Sequence, residues 1–400
     1  MMNTQNKFGP DVALKPEDWV PLSDIRTAAS SEIAGKGRSS KSRDWKEIGV
    51  RVVVPVTGVV AALMIGAVFL LILDANPVSA YAAMVRGALG SRFGLTQMLV
   101  KATPLLLVGL GISIAFRASC INIGGEGQMI AGALMATWFP LAATNLPGFV
   151  VVPLTIILGF AAGALWGFVP GILKARYAVN EILTTIMMNS IALQLMNFLL
   201  QGPLMDPKGI ESGTYLAQSA RIPDPARLAR IIPQTMLHSG IFLALILAVV
   251  VYIFLWRTTI GYRIRAVGLN PDASRYSGIN VRFNQALSLT LAGGLAGIAG
   301  AVEVIGVQYR LLEGLTSGYG FAGIVAALLG WLHPIGLIPA SIFFGGLLVG
   351  ADTMQRAVQV PSALIGAILG LVVLFVSGSG IWTQRWIRKI RSESGLEGQR

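Results

Sequence analysis

Few side chains in this sequence are of a type that could carry out covalent or acid–base chemistry. The chain has one cysteine, Cys120, and two histidines, His238 and His333, which lie far apart in the sequence. They form no cluster with the spacing of a metal site, and no nucleophile is paired with a base. We therefore expect no catalytic residue, no metal and no other cofactor, and we interpret Cys120 as a small apolar core side chain.

The glycine-bearing segments do not match nucleotide-binding loops. Gly124, Gly125 and Gly127 follow an apolar stretch that reads as a helix, and their spacing differs from that of the dinucleotide fingerprint. Gly35-Lys36 fails the phosphate-loop pattern, because Ser30 stands where the first glycine belongs. Any process driven by ATP would therefore need a partner subunit that hydrolyses the nucleotide.

The composition predicts a membrane protein. Of the 400 residues, 54% are hydrophobic and only 12% are charged, and the mean hydropathy is +0.68. Since about 20 apolar residues make a helix that crosses a bilayer, the charge-free stretches predict an all-α, polytopic protein with about ten transmembrane helices. The net charge of +12 is typical of positive inner loops and of contacts with anionic membrane lipids, so nucleic acid is not expected as a partner.

The predicted membrane domain covers residues 48–380, between a polar tail (1–47) and a basic tail (381–400). Most of the 31 lysines and arginines fall on one side if both tails are cytosolic, which is the orientation that positive loops favour. The predicted spans lie at 52–73, 98–117, on either side of the turn 144–148, at 181–206, 231–256 and 283–302, on either side of His333-Pro334, and within 357–384.

Glycines recur every four residues along one predicted span, at Gly159, Gly163, Gly167 and Gly171, and a similar pair is Gly293 with Gly297. Small residues at this spacing let helix backbones approach closely, which predicts a tightly packed helix bundle. A pathway lined by glycines is the alternative interpretation.

Segment 119–128 combines three glycines with the polar side chains of Asn122, Glu126 and Gln128, so a continuous helix is not expected there. Irregular backbone at membrane depth is tolerated only where protein buries it or where it lines a watery cavity. Two interpretations stay open: Glu126 lines a cavity or gate, or it lies in a solvated turn near Arg117.

Further polar groups lie on or beside predicted membrane helices. Asn180, Thr184 and Asn189 would be costly in lipid unless they bond to another helix or contact a polar solute, and both roles stay open. Glu303 interrupts the end of another span, where it lines an entrance or marks the helix end.

The inner loop 257–282 contains the signals of a short capped helix. Asn270 is a good N-cap, Pro271 suits the first helical position, Asp272 complements the helix dipole, and Gly278 supplies a stop. A rigid two-turn helix in a cytosolic loop predicts a docking element. A simple connector or an anchor to lipid headgroups is the alternative.

Four segments resemble permease subunits of bacterial ABC importers of the branched-chain amino acid, ribose and nucleoside branch, most closely the nucleoside or simple-sugar type. The resemblance covers about residues 50–380. The segments are Asn122-Ile123-Gly124-Gly125-Glu126-Gly127-Gln128; Asn180-Glu181-Ile182 with Met188-Asn189; Gly268-Leu269-Asn270-Pro271 with Ala273 and Tyr276; and Gly318-Tyr319-Gly320-Phe321 with Ala326-Ala327-Leu328-Leu329-Gly330 and Pro334.

The resemblance implies a transport subunit of the bacterial inner membrane, not an enzyme, that moves nucleosides or simple sugars by alternating access. Its partners would be ATP-binding subunits, a second permease of the same or, more commonly, a related sequence, and an extracytoplasmic solute-binding protein. Residues that would couple it to the ATPase are Gly268, Asn270, Pro271, Asp272, Ala273, Arg275, Tyr276 and Gly278. Candidates for the pathway or gate are Asn122, Glu126, Gln128, Asn180 and Asn189.

Other classes of function stay as alternatives. A secondary transporter driven by an ion gradient would need buried acidic groups, for which Glu126 and Glu303 are the candidates. An ABC permease for another solute, such as branched-chain amino acids, is a second alternative. A membrane-embedded enzyme is disfavoured by the lack of a nucleophile motif or a metal cluster in the sequence.

Overall fold

Long apolar stretches bounded by capping residues and prolines give this chain a helical fold. The computed structural model describes residues 56–211, 213 and 216–361, with Val53 and isolated positions between 364 and 386. The predicted N-terminal tail, almost all of the C-terminal tail and about half of the last predicted span lie outside the described residues. By their contacts, residues Ala61–Ser377 form one compact unit, to which all contacts described below belong. A second unit comprises Met1–Val60 and Gly378–Arg400.

The described part of the chain is all-α, as predicted, and the β-pairing within it is limited to three isolated bridges. A π-helical turn, Val304–Gln308, follows the eleventh helix. The helices are α1 (Val56–Ile72), α2 (Pro77–Leu89), α3 (Arg92–Arg117), α4 (Gly125–Ala142), α5 (Gly148–Tyr177), α6 (Glu181–Leu200), α7 (Pro207–Glu211), α8 (Gly240–Arg257), α9 (Thr259–Leu269), α10 (Pro271–Tyr276), α11 (Val281–Glu303), α12 (Tyr319–Leu329) and α13 (Pro334–Val358).

Six of these helices are long and apolar enough to cross a membrane: α3, α5, α6, α8, α11 with its π-helical turn, and α13. Helices α1 and α12 are apolar but shorter, and α4 carries Glu126 and Gln128 in its first turn. The expectation of ten spans is therefore confirmed for six helices. The predicted breaks at 144–148 and at His333-Pro334 are both present, because α4 ends at Ala142 and α13 begins at Pro334.

Helices α2 and α9 were not anticipated. Helix α2 begins with a clear signal, since Asn76 precedes Pro77 and its side chain accepts hydrogen bonds from the backbone N–H groups of Val78 and Ser79. Long uncharged stretches indicate membrane spans, but they do not reveal such a short helix.

The connections between helices gather at two ends. At one, called here the α10 end, Ser119 bonds to Gly268, Ile121 to Glu181, and Arg117 to Leu332. At the opposite end, the backbone N–H groups of Ser219 and Leu228 donate to the carbonyls of Leu311 and Ile305. This alternation is what successive membrane crossings require.

Helix α11 forms the centre of the unit and packs against α3, α4 and α5. Along the contact with α5, Gly163 lies against the backbone of Gly293 and Gly297, and Gly159 and Gly167 continue the same face. A Cβ atom on Gly163 would collide with the carbonyl oxygen of Gly293. The glycine pattern therefore serves close helix packing, which confirms the first of the two interpretations.

We predict that Gly163→Ala destabilises the protein by about 1–3 kcal/mol, the usual effect of forcing an extra methyl group into a filled contact. The readout is the thermal unfolding midpoint of the purified protein in detergent. The control is Leu165→Ala on the same helix, because the Leu165 side chain is 67% exposed. Equal midpoints for the two variants would contradict the packing role of this glycine.

Candidate functional site

The helical path is interrupted between α3 and α4, as the sequence predicts. We call residues 118–124 the α3–α4 segment. It leaves α3 at Ser119, whose φ of 54° lies in the left-handed region, and then runs in a non-helical conformation to Gly124. Cys120 and Asn122 within it are fully buried, at 0% and 1% exposure. Its backbone N–H and C=O groups therefore need partners from the protein.

Asn122 supplies one of these partners and also pairs with the side chain of Gln128. The Asn122 side chain accepts a hydrogen bond from the Gly124 backbone N–H (2.9 Å) and donates one to Gln128 Oε1 (2.9 Å). The Gln128 amide nitrogen lies 3.3 Å from Asn122 Oδ1, so the two amides face each other. This pairing ties the α3–α4 segment to the first turn of α4.

Helix α6 supplies further partners. Asn189 Oδ1 accepts from the Gly127 N–H (2.8 Å), and Asn189 Nδ2 donates to the Ile123 carbonyl (2.9 Å). Near the start of α6, Glu181 accepts from the Ile121 N–H at 3.3 Å and forms an ion pair with Lys174. Asn189 was predicted either to bond to another helix or to contact a polar solute. Its two hydrogen bonds support the first role.

Glu126 lies in the protein interior, with 8% of its surface exposed. Its Oε1 atom accepts a hydrogen bond at 3.0 Å from the backbone N–H of Gly320, in the first turn of α12. This geometry is incompatible with the solvated turn that was one of the two interpretations.

Helix α12 needs this external carboxylate. Its own N-cap residue is Gly318, which has a φ of 79° and no side chain to bond the first N–H groups. A negative charge at a helix N-terminus satisfies these groups and interacts favourably with the helix dipole. Glu126 thus caps a helix that begins almost 200 residues later in the chain.

The other candidates occupy different places. Asn180 lies at the α10 end, where its side chain accepts from the Ile182 N–H (2.9 Å) and caps α6. The structure therefore brings together Asn122, Glu126, Gln128 and Asn189, but not Asn180. Glu303 is the last residue of α11 and is buried, at 4% exposure. It does not lie at a solvent-exposed entrance.

The short helix in the inner loop forms as predicted. The Asn270 side chain accepts from the backbone N–H groups of Asp272 and Ala273, and Pro271 occupies the first helical position. At the other end Gly278, with a φ of 78°, allows the Ile279 N–H to reach the Ser274 carbonyl.

One face of α10 is open to solvent. Tyr276 is 94% exposed, and the Arg275 side chain is 71% exposed and 3.7 Å from Asp272. Ser274 is buried against the rest of the protein. An exposed aromatic ring beside an exposed guanidinium is a composition typical of protein–protein contacts.

Helices α9 and α10 are connected to the α3–α4 segment by close contact. The Ser119 hydroxyl donates to the Gly268 carbonyl at 2.7 Å. Gly268 packs so closely on the end of α3 that a Cβ atom there would collide with the Arg117 carbonyl oxygen. Lys174 Nζ lies 3.5 Å from the Ser119 carbonyl. The end of α9, the end of α5 and the start of the α3–α4 segment therefore meet at one point.

The α10 end also contains a cationic and aromatic cluster that the sequence did not predict. The guanidinium groups of Arg117 and Arg265 lie 5.1 and 5.6 Å from the centre of the Trp256 ring, and the His333 ring centre lies 4.9 Å from it. Burial, together with the Arg117 charge, lowers the pKa of His333 below its usual value. The cluster, with the Arg117–Leu332 hydrogen bond (3.2 Å), holds the break between α12 and α13 against α8.

Comparison with known proteins gives a consistent group of relatives. The family model for the branched-chain amino acid transport system permease component matches residues 94–377. The chain is 37% identical to the guanosine ABC transporter permease protein NupP of Bacillus subtilis, over 82% of this chain and 93% of that protein.

Two further relatives are similar over most of their lengths. The glucose ABC transporter permease protein TsgB13 of Haloferax volcanii is 36% identical over 80% of this chain and 86% of its own. The nucleoside ABC transporter permease protein NupB of Lactococcus lactis is 33% identical over 82% and 91%. No solved structure matches the chain.

We predict that Glu126→Ala loosens the start of α12. Leaving the buried Gly320 N–H without an acceptor should cost about 1–3 kcal/mol and speed hydrogen exchange in residues 319–322. Hydrogen–deuterium exchange read by mass spectrometry measures this effect. The matched control is Glu313→Ala, which removes an exposed carboxylate from the loop before the same helix. Unchanged exchange in the Glu126 variant would refute the capping role.

Proposed function

The chain belongs to the family of branched-chain amino acid transport system permease components, and we propose that it forms the translocation pathway of an ATP-driven ABC importer for nucleosides or simple sugars. It is a multi-pass integral protein of the plasma membrane and a transport component, not an enzyme. The single observation that carries the proposal is the chain of contacts from exposed helix α10 to the buried Glu126–Gly320 contact.

The relatives support the choice of solute. Those reported above are named for guanosine, for nucleosides and for glucose, which are all polar solutes without a net charge. The family description names branched-chain amino acids instead. We favour nucleosides or sugars because the individual relatives match over most of this chain.

The topology proposed for the whole chain has ten spans and cytosolic termini. It places the α10 end in the cytosol, in agreement with the basic residues at that end, which include Lys174, Arg257, Arg265 and Arg275. The short helix α12 then reaches from the α10 end only partway across the membrane, and Glu126 caps it inside the protein.

Helix α10 is proposed as the coupling element that docks on an ATP-binding subunit. The residues proposed for coupling remain Gly268, Asn270, Pro271, Asp272, Ala273, Arg275, Tyr276 and Gly278. Movement of α10 would pass through Gly268 to Ser119, and from there along the α3–α4 segment to Glu126 and Asn189. Glu126 bonds to α12 and Asn189 belongs to α6, so both helices would shift together.

The remaining partners are proposed on the family relationship. They are two ATP-binding subunits, a second permease of the same or a related sequence, and an extracytoplasmic solute-binding protein. The solute-binding protein would dock at the end opposite α10. Nucleotide chemistry belongs to the ATP-binding subunits in this scheme, and this chain needs no cofactor of its own.

A secondary transporter driven by an ion gradient is the alternative, and it rests on buried carboxylates. Glu126 and Glu303 are both buried, as such a mechanism requires. Glu126, however, already bonds the backbone N–H of Gly320 at the start of α12, which gives it a structural role without ion binding.

We expect cells that contain the chain to take up labelled nucleosides or ribose in an ATP-dependent manner. Uptake of nucleosides, ribose and a branched-chain amino acid is measured with and without the chain, before and after an ATP depletion that preserves the ion gradient. Uptake that persists after depletion would favour the gradient-driven alternative. If the branched-chain amino acid alone is taken up, the proposed solute class is wrong.

We predict that replacing Arg275 and Tyr276 together by alanine abolishes uptake but leaves the protein in the membrane, because both side chains lie on the exposed face of α10. The matched control replaces the neighbouring exposed pair Tyr262 and Arg263 of α9, which has the same composition. ATPase activity of the complex, measured in parallel, should become independent of the solute-binding protein. Full uptake by the α10 variant would reduce α10 to a connector.

A further inference from the structure

The arginines around Trp256 lack complete hydrogen bonding. We call Arg117, Trp256, Arg265 and His333 the Trp256 cluster. The two guanidinium groups lie 5.1 and 5.6 Å from the centre of the Trp256 ring. Their Nε atoms are buried and have no hydrogen-bond partner in the described part of the chain. Because a buried N–H group without an acceptor is unfavourable, the cluster needs a further hydrogen-bond acceptor.

No carboxylate of the described residues balances the charge of this cluster. Arg117 bonds to a backbone carbonyl, which is a neutral acceptor, and neither arginine forms an ion pair within that part of the chain. Of the carboxylates at the same end, Glu181 pairs with Lys174. Asp272 lies 3.7 Å from Arg275. Two guanidinium groups beside one ring repel each other, so an anion between them would be favourable.

The Trp256 cluster lies at a boundary of the membrane. Arg117 is the last residue of α3, Trp256 is the last but one of α8, and His333 directly precedes α13. All three helices are long and apolar enough to cross a membrane. Their ends therefore mark the level at which tryptophan rings are enriched and lipid headgroups lie. The four side chains are only half-buried, so the cluster is open on one side.

Exposed apolar side chains adjoin the cluster on the membrane side. Ile253 precedes Trp256 by one turn of α8, and Ile335 follows His333 by two residues in α13. Both are exposed. A ligand with an anionic headgroup and an apolar chain matches both parts of this surface, whereas a small soluble anion would use only the arginines.

The break between α12 and α13 is the part of the fold that such a ligand would stabilise. Trp331 and Leu332 both lie in the left-handed region, with φ of 58° and 52°, which residues other than glycine rarely adopt. The Arg117 side chain donates to the Leu332 carbonyl at 3.2 Å and so helps to hold this conformation. An anion that fixes the Arg117 guanidinium would strengthen this contact.

We propose that the Trp256 cluster binds the phosphate group of an anionic phospholipid, such as phosphatidylglycerol, through Arg117 and Arg265. Guanidinium groups bond phosphate oxygens in pairs, which makes arginine well suited to this group. A zwitterionic lipid carries an ammonium group that two arginines would repel. The inference goes beyond the proposed function and takes from it only the orientation, which assigns the lipid to the inner leaflet.

The bound lipid would also affect the contact between α9 and α3. Arg265 belongs to α9, and Gly268 of the same helix packs against the Arg117 carbonyl oxygen. A phosphate held by both arginines would therefore join the two helices at the point where α9 leads into α10.

An acidic side chain of an ATP-binding subunit is the competing occupant. The observations favour the lipid, because the arginine Nε atoms are buried and apolar side chains adjoin them. The surface suited to a protein contact is α10, where Tyr276 is exposed to solvent.

Native mass spectrometry of the purified full-length chain tests the inference. The protein, in a neutral detergent, is mixed with equal amounts of phosphatidylglycerol and phosphatidylcholine that have identical acyl chains, and the fraction bound to each lipid is measured. Phosphatidylglycerol should bind preferentially. Arg265→Gln should weaken its binding about tenfold, the effect of losing a hydrogen bond to a charged group. The matched control Arg263→Gln removes the same charge from an exposed position of α9 and should leave binding unchanged. Arg265→Lys, which keeps the charge, should recover part of the binding.

Thermal unfolding gives an independent readout. Phosphatidylglycerol should raise the unfolding midpoint of the unchanged protein and of Arg263→Gln, because a ligand that binds only the folded state stabilises it. The rise should be lost in Arg265→Gln. Inorganic phosphate at the same concentration should have no effect. An equal rise with inorganic phosphate would assign the cluster to a soluble anion and overturn the lipid proposal.

Two further outcomes would overturn it. Equal binding of the two lipids, or equal binding of phosphatidylglycerol by Arg265→Gln and Arg263→Gln, would leave the cluster to a protein partner. If Arg265→Gln fails to fold, the lipid preference and the phosphate control still decide, because both are measured on the unchanged protein. None of these measurements requires transport, so their outcome is independent of the uptake experiment that tests the proposed function.

Discussion

The absence of water from a bilayer is the constraint on which the rest of this structure depends, because every backbone N–H and C=O group at that depth needs a protein partner. Two helices, α4 and α12, begin inside the protein. The Glu126 carboxylate satisfies the first turn of α12, and the amides of Asn122 and Asn189 satisfy the segment that leads into α4. Without these side chains neither break could exist at that position.

Features that depend on neighbouring residues were predictable from the sequence. The cap of α10 requires only Asn270, Pro271 and Gly278, which lie within nine residues of one another. The interruption before α4 follows from glycines and polar groups in one short stretch. The partner of Glu126 was not predictable, because Gly320 lies 194 positions away and its backbone N–H leaves no mark in the sequence. The start of α12 inside the protein depends on the same contact.

Helix packing was also only partly predictable from the sequence. The four-residue spacing of glycines on α5 indicates a close contact, but not that the partner is the pair Gly293 and Gly297 on α11. The cluster around Trp256 joins three distant segments, and none of its members stands out in the sequence. Such long-range contacts determine which helix ends lie together, and they place α10 near the start of the α3–α4 segment.

Helix α6 shows why residue type alone does not assign a role to a polar group in a membrane protein. Asn189 and Asn197 are the same residue, two turns apart on one helix. The first makes two hydrogen bonds to the α3–α4 segment, while the second has an amide oxygen without a partner in the described part of the chain. Because an unsatisfied amide is unfavourable in lipid, the hydrogen bonds that each amide makes, and not its residue type, determine whether it stabilises the fold.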